Sequence, residues 1–280
     1  MSSSRKARTG RELQWRDRPL IMGVLNVTPD SFFDGGNYAT REKAIGHALR
    51  MAEDGADIID VGGESSRPFS TPVSTDEELK RVVPVVEGIR ESLSIPISVD
   101  TCKSIVARKA CLAGADIVND ISGLMHDPEM ADTVRTFKVK VVIMHMKGMP
   151  ETMQVAPHYY DVIAEIGAFF EERLSFAAKN GIEKNNIILD PGIGFGKRVE
   201  DNLKIIKHLD LFKRFDLPLL VGTSMKGFIG KVTGSTMRGR TEGTLASIAI
   251  SVWNGANIVR VHDVKKAKRV VGFIDAIREA

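Results

Sequence analysis

The sequence predicts a single (β/α)8 barrel, and three observations carry that prediction. Short apolar runs alternate with amphipathic stretches eight times along 280 residues, the pattern of a parallel sheet whose strands are joined by helices. One phrase recurs three times, as DGADIID at 54–60, AGADIVND at 113–120 and NGANIVRV at 254–261; each reads as helix end, glycine turn and buried strand. The alternative, an open doubly wound sheet, is disfavoured because no GxGxxG opens the first helix.

The elements follow in order. Residues 21–25 form an apolar run that turns polar at Asn26 and continues through Thr28, Pro29, Asp30, Ser31, Asp34 and two glycines. Residues 41–54 carry Ala44, Ile45, Ala48, Leu49 and Ala52 at helical spacing. A strand at 58–61 empties into a loop at 62–68, and a capping-box pattern beginning at Thr75 opens a helix to about Leu93. The next strand, 95–99, ends at Asp100. Helix 103–112 precedes strand 116–118, which ends at Asn119 and Asp120. A weaker helix at 129–137 leads to strand 139–144 and His145. A long helix at 160–181, strand 187–189 and Asp190 come next, then helix 200–209 and strand 218–221. Helix 243–254 and strand 258–259, ending in Arg260 and His262, precede a terminal helix.

Composition excludes several classes. A net charge of +3, with 27% charged and 43% hydrophobic residues, is ordinary for a globular chain and too small to argue for nucleic acid. No apolar run approaches a membrane span. Cys102 and Cys111 read as reduced thiols, which fits the cytoplasm. The first eighteen residues are basic without an apolar centre, so they are not expected to act as a secretory signal. A flexible, solvated arm over 1–18 is expected, followed by a barrel domain at 19–280.

In such a barrel the C-terminal strand ends line one mouth, where the active site lies. Here they present Asn26, the 64–68 loop, Asp100, Asn119, His145, Asp190, Ser224 with Lys226, and Arg260 with His262. Asp100, Asp190 and Asn119 suit the donor edge of a flat heterocycle, and Lys226 suits a carbonyl oxygen or ring nitrogen. Arg67, Arg260 and His262 suit a phosphate or diphosphate. Asn26 and nearby loop carboxylates offer hard oxygen ligands for Mg2+. Strand alternation sends Met144 and His145 to opposite sides of the barrel wall.

The stretches IMGVLNVTPDSFFDGG, DIIDVGGESSRP, ISVDT, DIVNDISG, VVIMHMKGMPETMQ, ILDPGIGFGK, LPLLVGTSMKGFIG and IVRVHDV resemble, in order, the motifs of the dihydropteroate synthases. The resemblance spans residues 21–264. It implies a TIM barrel, usually dimeric, that joins (7,8-dihydropterin-6-yl)methyl diphosphate to 4-aminobenzoate with Mg2+, and that sulfonamides inhibit. It further implies that Asp100, Asn119, Asp190 and Lys226 hold the pterin, with Met144 among the substrate contacts. Arg260, His262 and Asn26 with its Mg2+ would hold the diphosphate. Ser66 and Arg67 would lie on one closing loop, and Phe32 and Asp34 on another, near the second substrate. Phe195 and Pro68 would flank the aminobenzoate ring. The implied catalytic set is Asp34, Arg67, Lys226, Arg260 and His262.

Three departures stand out. Ser66 occupies a position where the family commonly has Thr, Met225 one where it usually has Arg, and Gly227 one that often carries a hydroxyl. Two rival readings are a methyltetrahydrofolate–corrinoid type methyltransferase domain and a paralogue that binds pterin without condensing it. The SSRP loop and Arg260 with His262 count against the first. Met225 alone favours the second.

Overall fold

A computed structural model describes residues 13–28, 37–65, 71–148, 152–153 and 155–280, without the side chains of 37–40 and 238. The strands are β1 (Leu20–Asn26), β2 (Ile58–Gly62), β3 (Ile97–Asp100), β4 (Ile117–Asp120), β5 (Lys140–Met144), β6 (Ile187–Asp190), β7 (Leu220–Val221) and β8 (Ile258–Val261). Every ladder is parallel, and the order is β6-β5-β4-β3-β2-β1-β8-β7. A bridge between Leu189 and Leu219 joins the two ends, so the sheet closes into a (β/α)8 barrel. Closure also sets Leu20 beside Ile258, pairing the first strand with the last.

Around the strands run α1 (Asn37–Glu53), α2 (Thr75–Ser92), α3 (Ser104–Ala113), α4 (Met130–Phe137), α5 (Val162–Lys179), α6 (Val199–Lys207), α7 (Gly227–Thr233), α8 (Thr241–Trp253) and α9 (Val264–Glu279). Their caps fix where they start. Ser74 accepts the Glu77 N–H at 3.3 Å, so α2 is capped one residue earlier than the Thr75 box suggested. Asp161 caps α5 through the N–H groups of Ile163 and Ala164. The short α7 has no periodicity long enough to register in sequence; Lys226 precedes it in extended conformation and Gly234 ends it left-handed.

Alternate residues of each strand face in and out. Ile21, Ile59, Val61, Val99, Val118 and Leu189 point outward into a core shared with the helices. Burying one such side chain contributes about 1.5–3 kcal/mol. The inward residues at the N-terminal end form a separate apolar floor of Leu20, Met22, Ile58, Ile117, Val142, Ile188, Leu220 and Ile258. Leu13 is buried in that floor and Trp15 packs against it. Within the stretch 1–18, expected as a solvated arm, Leu13 and Trp15 pack at the base of the barrel instead of lying in solvent, while residues 1–12 lie outside the described residues.

Candidate active site

One inward step above the floor, two residues along each strand, the lining changes character. Ile58 gives way to Asp60, Ile117 to Asn119, Ile188 to Asp190 and Ile258 to Arg260; Val142 gives way to Met144. The period of two that packs the floor thus aims a ring of polar groups into the lumen.

Arg260 organises this ring. Its Nε donates to Asp60 Oδ2 and its Nη2 to Asp100 Oδ2, both at 2.6 Å. Asn119 Nδ2 donates to the same Asp60 oxygen at 3.1 Å. Asp60 is wholly buried, and its Oδ1 has no hydrogen-bond partner among the described residues. Asp60 was not among the expected site residues. Burial pulls the Arg260 guanidinium down, but Asp60 and Asp100 outweigh that and raise it. Burial pushes the Asp100 carboxyl up against the pull of Arg260, and Asp60 adds to the rise because two carboxylates share one cation.

Across the lumen stand Asp190 and Lys226. Asp190 Oδ1 accepts the Gly192 N–H at 2.7 Å. Burial lifts its carboxyl to about 6, restrained by that N–H and by Lys226, Lys197 and Arg260. Burial, helped by Arg260 and opposed by Asp190 and Asp100, lowers Lys226 to about 8. The Lys226 ammonium sits 4.1 Å from the centroid of the Phe195 ring, a cation–π contact. Phe195 clusters with Met144 and Met153, so this wall is flat and apolar.

His262 and Ser224 meet at the rim, with Ser224 Oγ 3.0 Å from His262 Nδ1 and accepting the His262 N–H at 3.3 Å. Beside them opens a groove of about 480 Å³ whose lining includes Met225, Arg50, His47 and Lys266. Met225 has a left-handed backbone, φ 59°; its N–H donates to Thr244 Oγ1 at 3.1 Å and its carbonyl accepts from Arg240 Nη1 at 3.0 Å.

Asn26 ends β1 opposite Gly62. A Cβ on Gly62 would lie 3.8 Å from Asn26 Oδ1 and 3.5 Å from Asp100 Cβ, which places amide and carboxylate on either side of that glycine. Among the described residues no group of three His, Cys, Asp or Glu could hold a metal by itself.

The structure therefore brings Asn26, Asp100, Asn119, Met144, Asp190, Phe195, Lys226, Arg260 and His262 to one mouth. His145 is not in it. Its ring lies outside the lumen, edge-on to Phe169 at 5.0 Å, and burial with the charges of Lys197 and Lys147 lowers it to about 2. Phe32, Asp34, Ser66, Arg67 and Pro68 lie outside the described residues.

Comparison with known proteins agrees with this arrangement. Residues 22–262 match the family described as pterin binding enzyme. The dihydropteroate synthase of Bacillus subtilis (strain 168) is 46% identical over 265 residues, 95% of this chain and 90% of that one. The Yersinia pestis dihydropteroate synthase, solved in a sulfonamide drug complex, superposes with a TM-score of 0.91 at 41% identity, covering 98% and 99% of the two chains. The Xanthomonas albilineans enzyme, solved with 4-aminobenzoic acid, gives a TM-score of 0.89 at 43% identity over 94% of each chain. On its barrel, its lumen chemistry and these likenesses, the chain belongs to the pterin-binding enzymes and, among them, to the dihydropteroate synthase family of transferases.

Proposed function

We propose that this chain condenses (7,8-dihydropterin-6-yl)methyl diphosphate with 4-aminobenzoate, releasing diphosphate and 7,8-dihydropteroate. The observation that carries the reading is the inward ring of Asp100, Asn119, Asp190 and Lys226 above an apolar floor, walled by Met144 and Phe195. A fused heterocycle with one donor-rich edge needs that combination: carboxylates and an amide oxygen for its N–H groups, a cation for its carbonyl, and a flat apolar face. Asp190 binds as the carboxylate and Lys226 as the ammonium. Buried polar partners of this kind also fix orientation, which supplies much of the rate when two reactants must meet in line.

His262 and Arg260 are assigned to the diphosphate. They stabilise negative charge as it gathers on the leaving group, while the electron-rich pterin carries the positive charge left on the methylene. The aniline nitrogen then attacks, with no covalent enzyme intermediate. Mg2+ fits as a cofactor held by Asn26 together with substrate oxygens, since few protein oxygens are needed for that ion. Bound there, it would neutralise diphosphate charge. Sulfonamides are proposed as competitors of 4-aminobenzoate. A homodimer is proposed through α8 and α9, which expose Ile250, Trp253, Phe273 and Ile277. No described helix is long and apolar enough to cross a membrane.

The test is a diphosphate-release assay with Mg2+ and both substrates, run beside Asp190→Asn and Lys226→Ala. Release that requires 4-aminobenzoate, yields dihydropteroate and collapses in both variants supports the reading. Pterin binding without release favours the silent paralogue, the reading Met225 suggests.

A further inference from the structure

Lys197 closes the glycine-rich loop after β6, yet nothing in the reaction above uses it. Its side chain is buried, 3% exposed. Its ammonium donates to the carbonyls of Phe195 at 3.0 Å and His145 at 3.2 Å, and to His145 Nδ1 at 3.0 Å. These three partners use all three ammonium donors, and none is a carboxylate. A buried cation without an ion pair is costly, and an apolar side chain of the same length would serve stability better. The charge therefore calls for a purpose beyond packing.

The two carbonyls belong to different loops. His145 follows β5 and Phe195 lies after β6, so one ammonium ties two neighbouring rim loops. On the lumen side of the tie stand the Phe195 ring and Asp190, whose carbonyl accepts the His145 N–H at 2.9 Å. The clearance is nil: a Cβ on Gly192 would lie 1.9 Å from His145 O and 3.3 Å from Lys197 Nζ.

We propose that Lys197 is a positioning residue for the pterin site, fixing the Phe195 ring and the Asp190 carboxylate and placing positive charge behind that carboxylate. The proposal rests on the pterin reading given above. The charges that act on Lys197 are Asp190 and Asp201, which favour its ammonium, and Lys226 and Lys147, which oppose it. Asp190 feels Lys226, Lys197 and Arg260. Burial lowers Lys197 to about 7 and raises Asp190 to about 6, so near neutrality each supports the charge of the other. Removing the cation raises Asp190 further, and binding that needs its carboxylate fades at a higher pH.

The experiment titrates wild type, Lys197→Met and Lys197→Gln with 6-hydroxymethylpterin by fluorescence from about pH 5 to about pH 9, beside thermal melts. In Lys197→Met, pterin binding at neutral pH should weaken about tenfold to thirtyfold, and its acid midpoint should rise by about one pH unit. Lys197→Gln, which keeps a donor for the carbonyls without the charge, should shift the midpoint as far and lose less affinity. A variant that melts lower but keeps the wild-type midpoint overturns the proposal. So does failure of both variants to fold, because Lys197 would then serve only the fold. Wild-type protein that binds no pterin refutes the functional reading and this proposal with it, whereas a failure confined to the variants touches Lys197 alone.

Discussion

Asp60 and Arg260 hold one another across the barrel lumen at 2.6 Å, one from the middle of β2 and the other from β8. Asp60 is fully buried and the Arg260 side chain is 19% exposed, so water screens this pair only weakly. Removing one partner of a buried pair costs about 3–5 kcal/mol, because the other charge is left uncompensated. In Asp60→Ala the guanidinium keeps Asp100 as a partner, so stability in urea melts should fall by the lower end of that range, about 3 kcal/mol. Asp60→Asn keeps the shape and still accepts from Arg260; it should lose less stability but at least about tenfold in kcat/KM, as Arg260 shifts toward Asp100.

The pH dependence of kcat/KM should be bell-shaped. Asp190, lifted to about 6, must be ionised to accept from the pterin, so activity rises as pH climbs through that value. Lys226, lowered to about 8, must be protonated to donate, so activity falls as pH passes that value. Lys226→Arg should leave the acid limb in place and carry the alkaline limb out of range. A rate profile on both proteins checks each limb separately.

Met225 lines the groove beside His262, at the position where the family resemblance led to an expected Arg. Met225→Arg adds a cation at the mouth and should lower the KM for 4-aminobenzoate about threefold to tenfold, equivalent to about 0.6–1.4 kcal/mol. The left-handed backbone there is already held by Thr244 and Arg240. The change should accordingly leave the melting temperature nearly unmoved.

Gly192 permits no side chain. With φ at 69° and a Cβ that would fall 1.9 Å from His145 O, Gly192→Ala must push the β5 and β6 loops apart. A loss of about 3 kcal/mol or more is expected in chemical denaturation, with pterin binding lost in the protein that still folds.

Leu13 offers the opposite case. Buried among floor residues at the far end of the lumen, it should cost about 2–4 kcal/mol when truncated to Ala. Its kcat should nevertheless match wild type at a temperature where both proteins are folded, because the floor and the polar ring occupy separate layers.

These cases show what the sequence made legible. Asp100, Asn119 and Asp190 stood out because each breaks an apolar run at its end. Strand alternation separated Met144 from His145, but only the structure shows that Met144 is the one facing the lumen and that His145 does not belong to the mouth. Asp60 was hidden by its position inside such a run. Counting in twos from Ile58 would have exposed it, since the same step takes Ile117 to Asn119 and Ile258 to Arg260. Lys197 was obscured by the glycines before it, and its partners lie on a neighbouring loop that only the closed barrel brings near. Leu13 and Trp15 carry no periodicity in a basic arm. Their burial depends on the barrel having an open base to fill, a property of the whole sheet.

The pairing of Leu20 with Ile258 has a consequence for synthesis. In a growing chain β1 is made before the rest of the barrel, and its second neighbour, β8, follows only after all the other strands. Until then β1 presents an unsatisfied, strongly apolar edge on which a neighbouring chain can pair. Production of this protein is thus expected to depend on translation speed and on factors that shield growing chains, a burden that β1 carries until the barrel's last strand has been made.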